Sequence, residues 1–116
     1  MQVPELSIVM PVYNSEQFIK QAVESLLSQS FDDFELIIVD DGSTDGSAEM
    51  ISGFGDERIR LLKNEANRGI VFSRNRGLAE VKGKFVAPFD SDDVAMPETF
   101  EKQLDYLKKH PEIGMI

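Results

Sequence analysis

Residues 34–43, Phe34-Glu35-Leu36-Ile37-Ile38-Val39-Asp40-Asp41-Gly42-Ser43, decide how this chain folds. The apolar run from Phe34 to Val39, broken only by Glu35, is too continuous for a strand with one wet face and reads as a parallel strand covered on both sides. Asp-Asp-Gly-Ser then stops it with residues that dominate turns.

Working outward, the same grammar recurs. Upstream, residues 6–12 (Leu6-Ser7-Ile8-Val9-Met10-Pro11-Val12) form a strand ending in Tyr13-Asn14. Asn14 or Ser15 is expected to cap a helix whose apolar stripe is Phe18, Ile19, Ala22, Val23, Leu26 and Leu27. Downstream come a short helix at 47–54, a third strand at 59–62, and a helix at 70–80 opened by Asn67-Arg68-Gly69 and weakened at its end by Gly77. A fourth strand at 84–89 runs into Asp90-Ser91-Asp92-Asp93, and Pro88 predicts that its last residues lack full ladder bonds. A final helix begins near Pro97, a favourable first-turn residue, with Phe100, Leu104 and Leu107 on its apolar face. Residues 113–116 read as the opening of another strand, which suggests the front part of a longer protein. Strand and helix thus alternate four times, the pattern of an α/β fold with a mostly parallel sheet and helices on both faces. Right-handed crossovers and a 3-2-1-4 strand order would set the first strand between the second and the fourth.

The chain has 116 residues, 41% hydrophobic and 28% charged, enough for one ordinary core and too little for two. Its net charge of −9 argues against nucleic acid or an anionic membrane as partner and favours a cation. With no cysteine there is no disulfide framework and no thiolate nucleophile, and one histidine is too little for a His-based site. No apolar run approaches the roughly 20 residues that span a bilayer, and no basic leader is present, so a cytoplasmic location, including the inner face of the membrane, is expected. Charge is uneven: residues 1–57 carry 12 acidic and 1 basic, 58–89 carry 2 and 8, and 90–116 carry 7 and 3. That arrangement suits an anion held beside a cation, and equally suits complementary solvated helix faces.

Polar residues gather in the turns after strands one, two and four. In open α/β sheets ligands bind there, where the strand order reverses. Asp40, Asp41, Asp90, Asp92 and Asp93 around one crevice would repel one another or take up protons unless a cation joins them. Oxygen ligands without His or Cys point to Mg²⁺ or Mn²⁺, with phosphate oxygens of a nucleoside diphosphate completing the shell. Each piece also has a plain structural reading. Asp40-Asp41-Gly42-Ser43 and Asp90-Ser91-Asp92-Asp93 serve as turns and caps, Tyr13 as core or as a ring face for a base, and Arg68, Arg74 and Arg76 as partners of carboxylates or of phosphate. His110 reads as a solvated helix end.

Three rivals are tested on the residues. An EF-hand loop starting at Asp41 would place Ser52 where Glu is required, and it fails. A haloacid-dehalogenase-type phosphatase matches Asp90-Ser91-Asp92-Asp93-Val94, but there the motif ends the first strand of the core. A receiver-like signalling module matches the length and the Asp40-Asp41 pair, yet Leu62-Lys63-Asn64 offers no phospho-accepting Asp.

Four segments in order, residues 7–14, 38–47, 67–77 and 85–93, together resemble the family 2 glycosyltransferases with the Rossmann-like GT-A nucleotide-sugar-binding fold. The resemblance covers nearly the whole chain and implies a fold truncated after its fourth strand–helix unit, so that residues 1–116 are the donor-binding part of a longer enzyme. It implies that Pro11, Val12 and Tyr13 hold the nucleotide base and that Asp41 contacts base or ribose with Asp40 beside it; Asn14, next to Tyr13, and Arg68, as a partner of phosphate, join the candidate substrate-binding residues. Asp90-Ser91-Asp92 looks like the family's Asp-x-Asp motif: the first carboxylate on ribose, the last on the metal that bridges the diphosphate, with Asp90 and Asp93 as further candidates for that metal. Arg74-Asn75 is similar to the pair that orients the acidic loop. The implied reaction is inverting transfer from a nucleotide-diphosphate sugar, a UDP-sugar by family preference, to a hydroxyl of a glycan or lipid-linked acceptor. The base is expected beyond Ile116. An edge strand left open would favour self-association.

Overall fold

A computed structural model of the chain describes residues 3–110, so the strand expected at 113–116 lies outside the described residues. The elements are β1 (Leu6–Val12), α1 (Ile19–Leu27), β2 (Phe34–Asp40), α2 (Ser47–Ser52), β3 (Ile59–Lys63), α3 (Ile70–Leu78), β4 (Phe85–Pro88) and α4 (Thr99–Lys109). The strands form one parallel sheet in the order β3-β2-β1-β4. Val12 lies opposite Asp40 and Val9 opposite Pro88. The acidic turns after β2 and β4 therefore flank the end of β1.

All seven residues of β1 and all seven of β2 are buried, as their near-continuous apolar character requires. Leu6, Ile8, Met10 and Val12 face a core shared with Ile19, Val23 and Leu26 of α1, Ile51 of α2, and Phe100, Leu104 and Leu107 of α4. The alternate residues face α3. There a Cβ on Gly77 would stand 2.5 Å from Val9 Cγ1 and 3.3 Å from Val39 Cγ2. Gly77 is thus a close-approach position rather than a weak helix end, though α3 does stop at Leu78, short of the expected residue 80. Glu35, buried in β2, accepts hydrogen bonds from Ser7 Oγ at 2.6 Å and the Lys82 amide at 2.7 Å. Arg60 Nη1 stands 3.5 Å from its other oxygen, so the polar side chain is satisfied inside the sheet layer.

Helix starts depart from the sequence expectation. Helix α1 begins at Ile19 with Phe18 as N-cap and no side-chain cap, so neither Asn14 nor Ser15 caps it. The Ser15 carbonyl accepts the Phe18 and Ile19 amides instead, leaving Phe18 ahead of the helix and half exposed. Helix α4 begins at Thr99, and Pro97 precedes its N-cap Glu98 with its carbonyl accepting the Ser30 amide at 2.7 Å. The Phe85 amide donates to Glu5 O at 2.9 Å and the Phe89 amide to Val9 O at 3.0 Å, so the ladder to β1 runs on past Pro88, whose missing N–H falls on the alternate side of the strand, away from β1. Among the described residues strand β4 pairs only with β1 and is an edge of the sheet. Among the described residues no helix is long and apolar enough to cross a membrane.

Candidate functional site

The carboxyl ends of β1, β2 and β4 open into one cleft of about 420 Å³. It is lined by the turn after β1, from Pro11 to Ser15, by Asp41 and Ser73, and by Asp90, Ser91 and Asp92 of the turn after β4. Phe18 and Ile70 supply an apolar rim. Tyr13 is 47% exposed, so its ring is open to a planar ligand.

Eight of the residues singled out in the sequence line this cleft: Pro11, Val12, Tyr13, Asn14, Asp41, Asp90, Ser91 and Asp92. Five others sit elsewhere. Asp40 is buried and accepts hydrogen bonds from the Ser43 hydroxyl and amide, so it shapes the turn. Arg68 lays its guanidinium over the Phe72 ring, 5.6 Å from the centroid. Arg74 and Asp93 line a neighbouring groove between α3 and β4. Arg76 donates to Lys63 O and Asn64 Oδ1, both at 2.7 Å, and points to the end of β3.

Asp41 is only 4% exposed. Its Oδ1 accepts from the Arg68 amide at 2.7 Å and Asn64 Nδ2 at 2.9 Å, and its Oδ2 from the Gly69 amide at 2.9 Å. Burial pushes this carboxyl up, but the Arg68 amide, the Asn64 side chain, the Gly69 amide and Ser73 together outweigh it and hold Asp41 below its ordinary value of 3.8. Asp41 is therefore an anion that anchors the loop entering α3. Gly42 beneath it has φ 74°, and a Cβ there would meet the Ala66 and Asn67 backbone at 2.9 Å, so that loop and the Asp41 turn are fitted to each other.

Asn14 takes the left-handed conformation at φ 47°. Its amide donates to Ser43 Oγ at 3.0 Å and its Oδ1 accepts the Thr44 amide at 2.8 Å. The local cost is offset by joining the turns after β1 and β2. Two features escaped the sequence reading. Phe18 and Ile70 look like helix-face residues until the starts of α1 and α3 are located, and neither Ser15, which reads as a helix cap, nor Ser73, within the segment 67–77, reads as a cleft residue, yet both line it.

Oxygens of Asp90, Asp92 and Asp93 converge within 4.8 Å of one another, all on exposed side chains. An octahedral ion bound at about 2.1 Å spaces its ligand oxygens by roughly 3–4.2 Å, so this hard-oxygen set fits Mg²⁺ or Mn²⁺ with little adjustment. Arg74 Nη2 stands 3.6 Å from Asp90 Oδ1, while its Nε is buried without a hydrogen-bond partner among the described residues. Arg74 thus reaches the acidic loop with donor capacity to spare.

Comparison with known proteins bears directly on this arrangement. The family model for glycosyl transferase family 2 matches residues 7–116. The chain is 37% identical over 105 residues to the UDP-Glc:alpha-D-GlcNAc-diphosphoundecaprenol beta-1,3-glucosyltransferase WfgD of Escherichia coli, covering 90% of this chain and 42% of that protein. Its structure superposes on Staphylococcus aureus TarS 1–349 in complex with UDP-GlcNAc at a TM-score of 0.87 and 32% identity, covering 91% of this chain and 32% of the other. It also superposes, with TM-score 0.83 and 22% identity, on the mannosyltransferase PcManGT of Pyrobaculum calidifontis in complex with GDP-Man and Mn²⁺, covering 92% and 33%, a likeness of fold. The chain spans about two fifths of the length of the curated relatives it matches. Nothing in these matches supports a receiver module or a haloacid-dehalogenase-type phosphatase. A family-model match over residues 7–116, with the same fold in the solved relatives, makes this chain a member of glycosyl transferase family 2.

Proposed function

We propose that residues 1–116 form the donor-binding domain of an inverting glycosyltransferase. It takes a sugar from a nucleotide-diphosphate sugar, a UDP-sugar, for transfer to a hydroxyl of a glycan or lipid-linked glycan. The observation that carries this reading is the convergence of the turns after β1, β2 and β4 on one cleft lined by an exposed aromatic residue, the buried carboxylate of Asp41 and the exposed carboxylates of Asp90 and Asp92, with Asp93 next to them. The UDP-sugar in the name of WfgD and the UDP-GlcNAc in the TarS complex support the choice of nucleotide.

In this reading Tyr13 stacks on the base. Asp41, with three of its acceptor positions taken, offers what remains to an N–H or O–H of the base or ribose. Asp90 contacts ribose, and Arg74 keeps the acidic loop in place while meeting the diphosphate; Arg68 swings from Phe72 to phosphate. Asp92, with Asp90 and Asp93, holds a divalent cation, Mg²⁺ or Mn²⁺, which when bound neutralises charge developing on the leaving diphosphate. The sugar–phosphate bond breaks as an acceptor oxygen attacks the anomeric carbon from the opposite face, and the acceptor proton passes to a carboxylate base. That base and the acceptor site belong to the portion of the relatives that this chain does not span. The reading sets the enzyme in the cytoplasm, the inner face of the membrane included, and it includes self-association of the isolated domain through edge strand β4.

Calorimetric titration of the chain with UDP, with and without Mn²⁺, tests the proposal. Binding strengthened by Mn²⁺ supports it; equal affinity in both conditions, or no binding, overturns it.

A further inference from the structure

Three exposed carboxylates within four residues repel one another, so the acidic loop needs restraints to hold one shape. Within the loop the Asp93 amide donates to Asp90 O at 3.1 Å, and from α3 the Arg74 ion pair is long and partly exposed. The third tie is of a different kind. Ser15 Oγ and Ser91 Oγ stand 2.7 Å apart, joining the turn after β1 to the residue between the two motif carboxylates.

The two serines are unequal. Ser15 is 8% exposed and fixed from several sides: its amide donates to Ser47 Oγ at 2.9 Å, and its carbonyl receives the amides that open α1. Ser47 is fixed in turn by Asp45, whose Oδ1 accepts its hydroxyl and amide. Ser91 lies on an exposed loop between two charges. Ser15 is the anchor and Ser91 the tethered end.

Proton accounting adds a second property. Ser15 Oγ has one proton, which reaches either Tyr13 O at 3.4 Å or Ser91 at 2.7 Å. When it goes to Tyr13 O, Ser91 donates to Ser15. When it goes to Ser91, the Ser91 proton is released toward the cleft, ready for an anionic oxygen. The exchange needs two hydroxyl rotations and no shift of heavy atoms.

We propose that Ser15 is a positioning residue: through Ser91 it holds the acidic loop in its cation-binding shape and turns the Ser91 hydroxyl toward an arriving diphosphate. This rests on the donor-site reading above and deepens it. The ratio of UDP affinity with Mn²⁺ to that without, measured calorimetrically on the chain, isolates the effect, because a merely structural role would weaken both affinities and leave the ratio alone. Ser15→Ala is expected to lower the ratio about 3- to 10-fold, the loss expected of one hydrogen bond. Ser91→Ala, on the exposed loop where folding is not at stake, is expected to lower it similarly, and the double variant no further, since both remove the same link. A wild-type ratio above one that is unchanged in Ser15→Ala, or single losses that multiply in the double variant, overturns the positioning role while sparing the donor-site reading. A wild-type ratio of one overturns that reading and this inference with it.

Discussion

Replacing Asp41 by Asn keeps its shape and removes its charge, and the consequences follow from three distances. The Arg68 amide at 2.7 Å and Asn64 Nδ2 at 2.9 Å converge on Oδ1, and the Gly69 amide at 2.9 Å on Oδ2. An amide has one acceptor oxygen and one NH₂. With its oxygen at the Oδ1 position, the NH₂ meets the Gly69 N–H donor to donor; the flipped amide leaves two donors unmet. The least costly arrangement loses one charge-assisted bond and strands a buried N–H, about 2–4 kcal/mol. At roughly 4 °C per kcal/mol for a domain of this length, the thermal midpoint falls by about 8–16 °C. The pH dependence has a definite sign. Because the native carboxyl is held below its ordinary 3.8, its contribution is fully present at neutral pH and is lost as pH falls from that value through the lower native one. The gap between wild type and Asp41→Asn should therefore be widest near neutrality and close in acid. Some acid slope persists in the variant, since Asp45 and Asp56 are also held below 3.8, Asp45 by Ser47 and the Glu16 amide against the opposing pull of burial, Asp56 by the Arg58 side chain. Urea denaturation at a series of pH values measures this. A gap under about 0.5 kcal/mol at pH 7, within the range of ordinary surface substitutions, or one that widens in acid, refutes the reasoning.

Other outcomes are expected on the same grounds. Gly77→Ala forces a methyl against buried Val9 and should cost about 1–3 kcal/mol in urea denaturation, with an unchanged midpoint as the contrary result. Asp92→Asn should cut the Mn²⁺ enhancement of UDP binding by about 10-fold or more, the scale of losing one charged ligand, with the far-ultraviolet circular dichroism unaltered; an intact enhancement would remove Asp92 from the ligand set. Edge strand β4 should let the isolated chain associate at high concentration, visible by light scattering as a mass above that of the monomer, and a constant monomer mass would contradict it.

Strand order and the three clustered turns were legible because both rest on composition. Short, near-continuous apolar runs bounded by turn residues read as buried strands, and carboxylates in adjacent turns stand out against any background. What was not legible depends on single backbone conformations. Asn14 at φ 47° diverts the chain, so α1 starts later than a cap at Asn14 or Ser15 would allow, and Phe18, periodic with the core stripe, ends on the rim of the cleft. Gly77 looks like a helix breaker because propensity knows nothing of Val9 2.5 Å from its missing Cβ. Asp40 and Asp41 are identical in sequence terms, yet alternation along β2 and the turn after it sends one into the turn and the other toward the cleft. Ser15 acquires its partner only when β4 is laid beside β1.

The central claim is that the three turns form one nucleotide and cation site. Amide chemical-shift mapping of the ¹⁵N-labelled chain with UDP and Mg²⁺, followed by replacement with paramagnetic Mn²⁺, tests it most directly. Shifts should concentrate at residues 12–15, 41 and 90–93, and Mn²⁺ should broaden 90–93 first. Shifts or broadening centred instead on the acidic surface of α4, at Glu98, Glu101 and Asp105, or a spectrum indifferent to UDP, would contradict it.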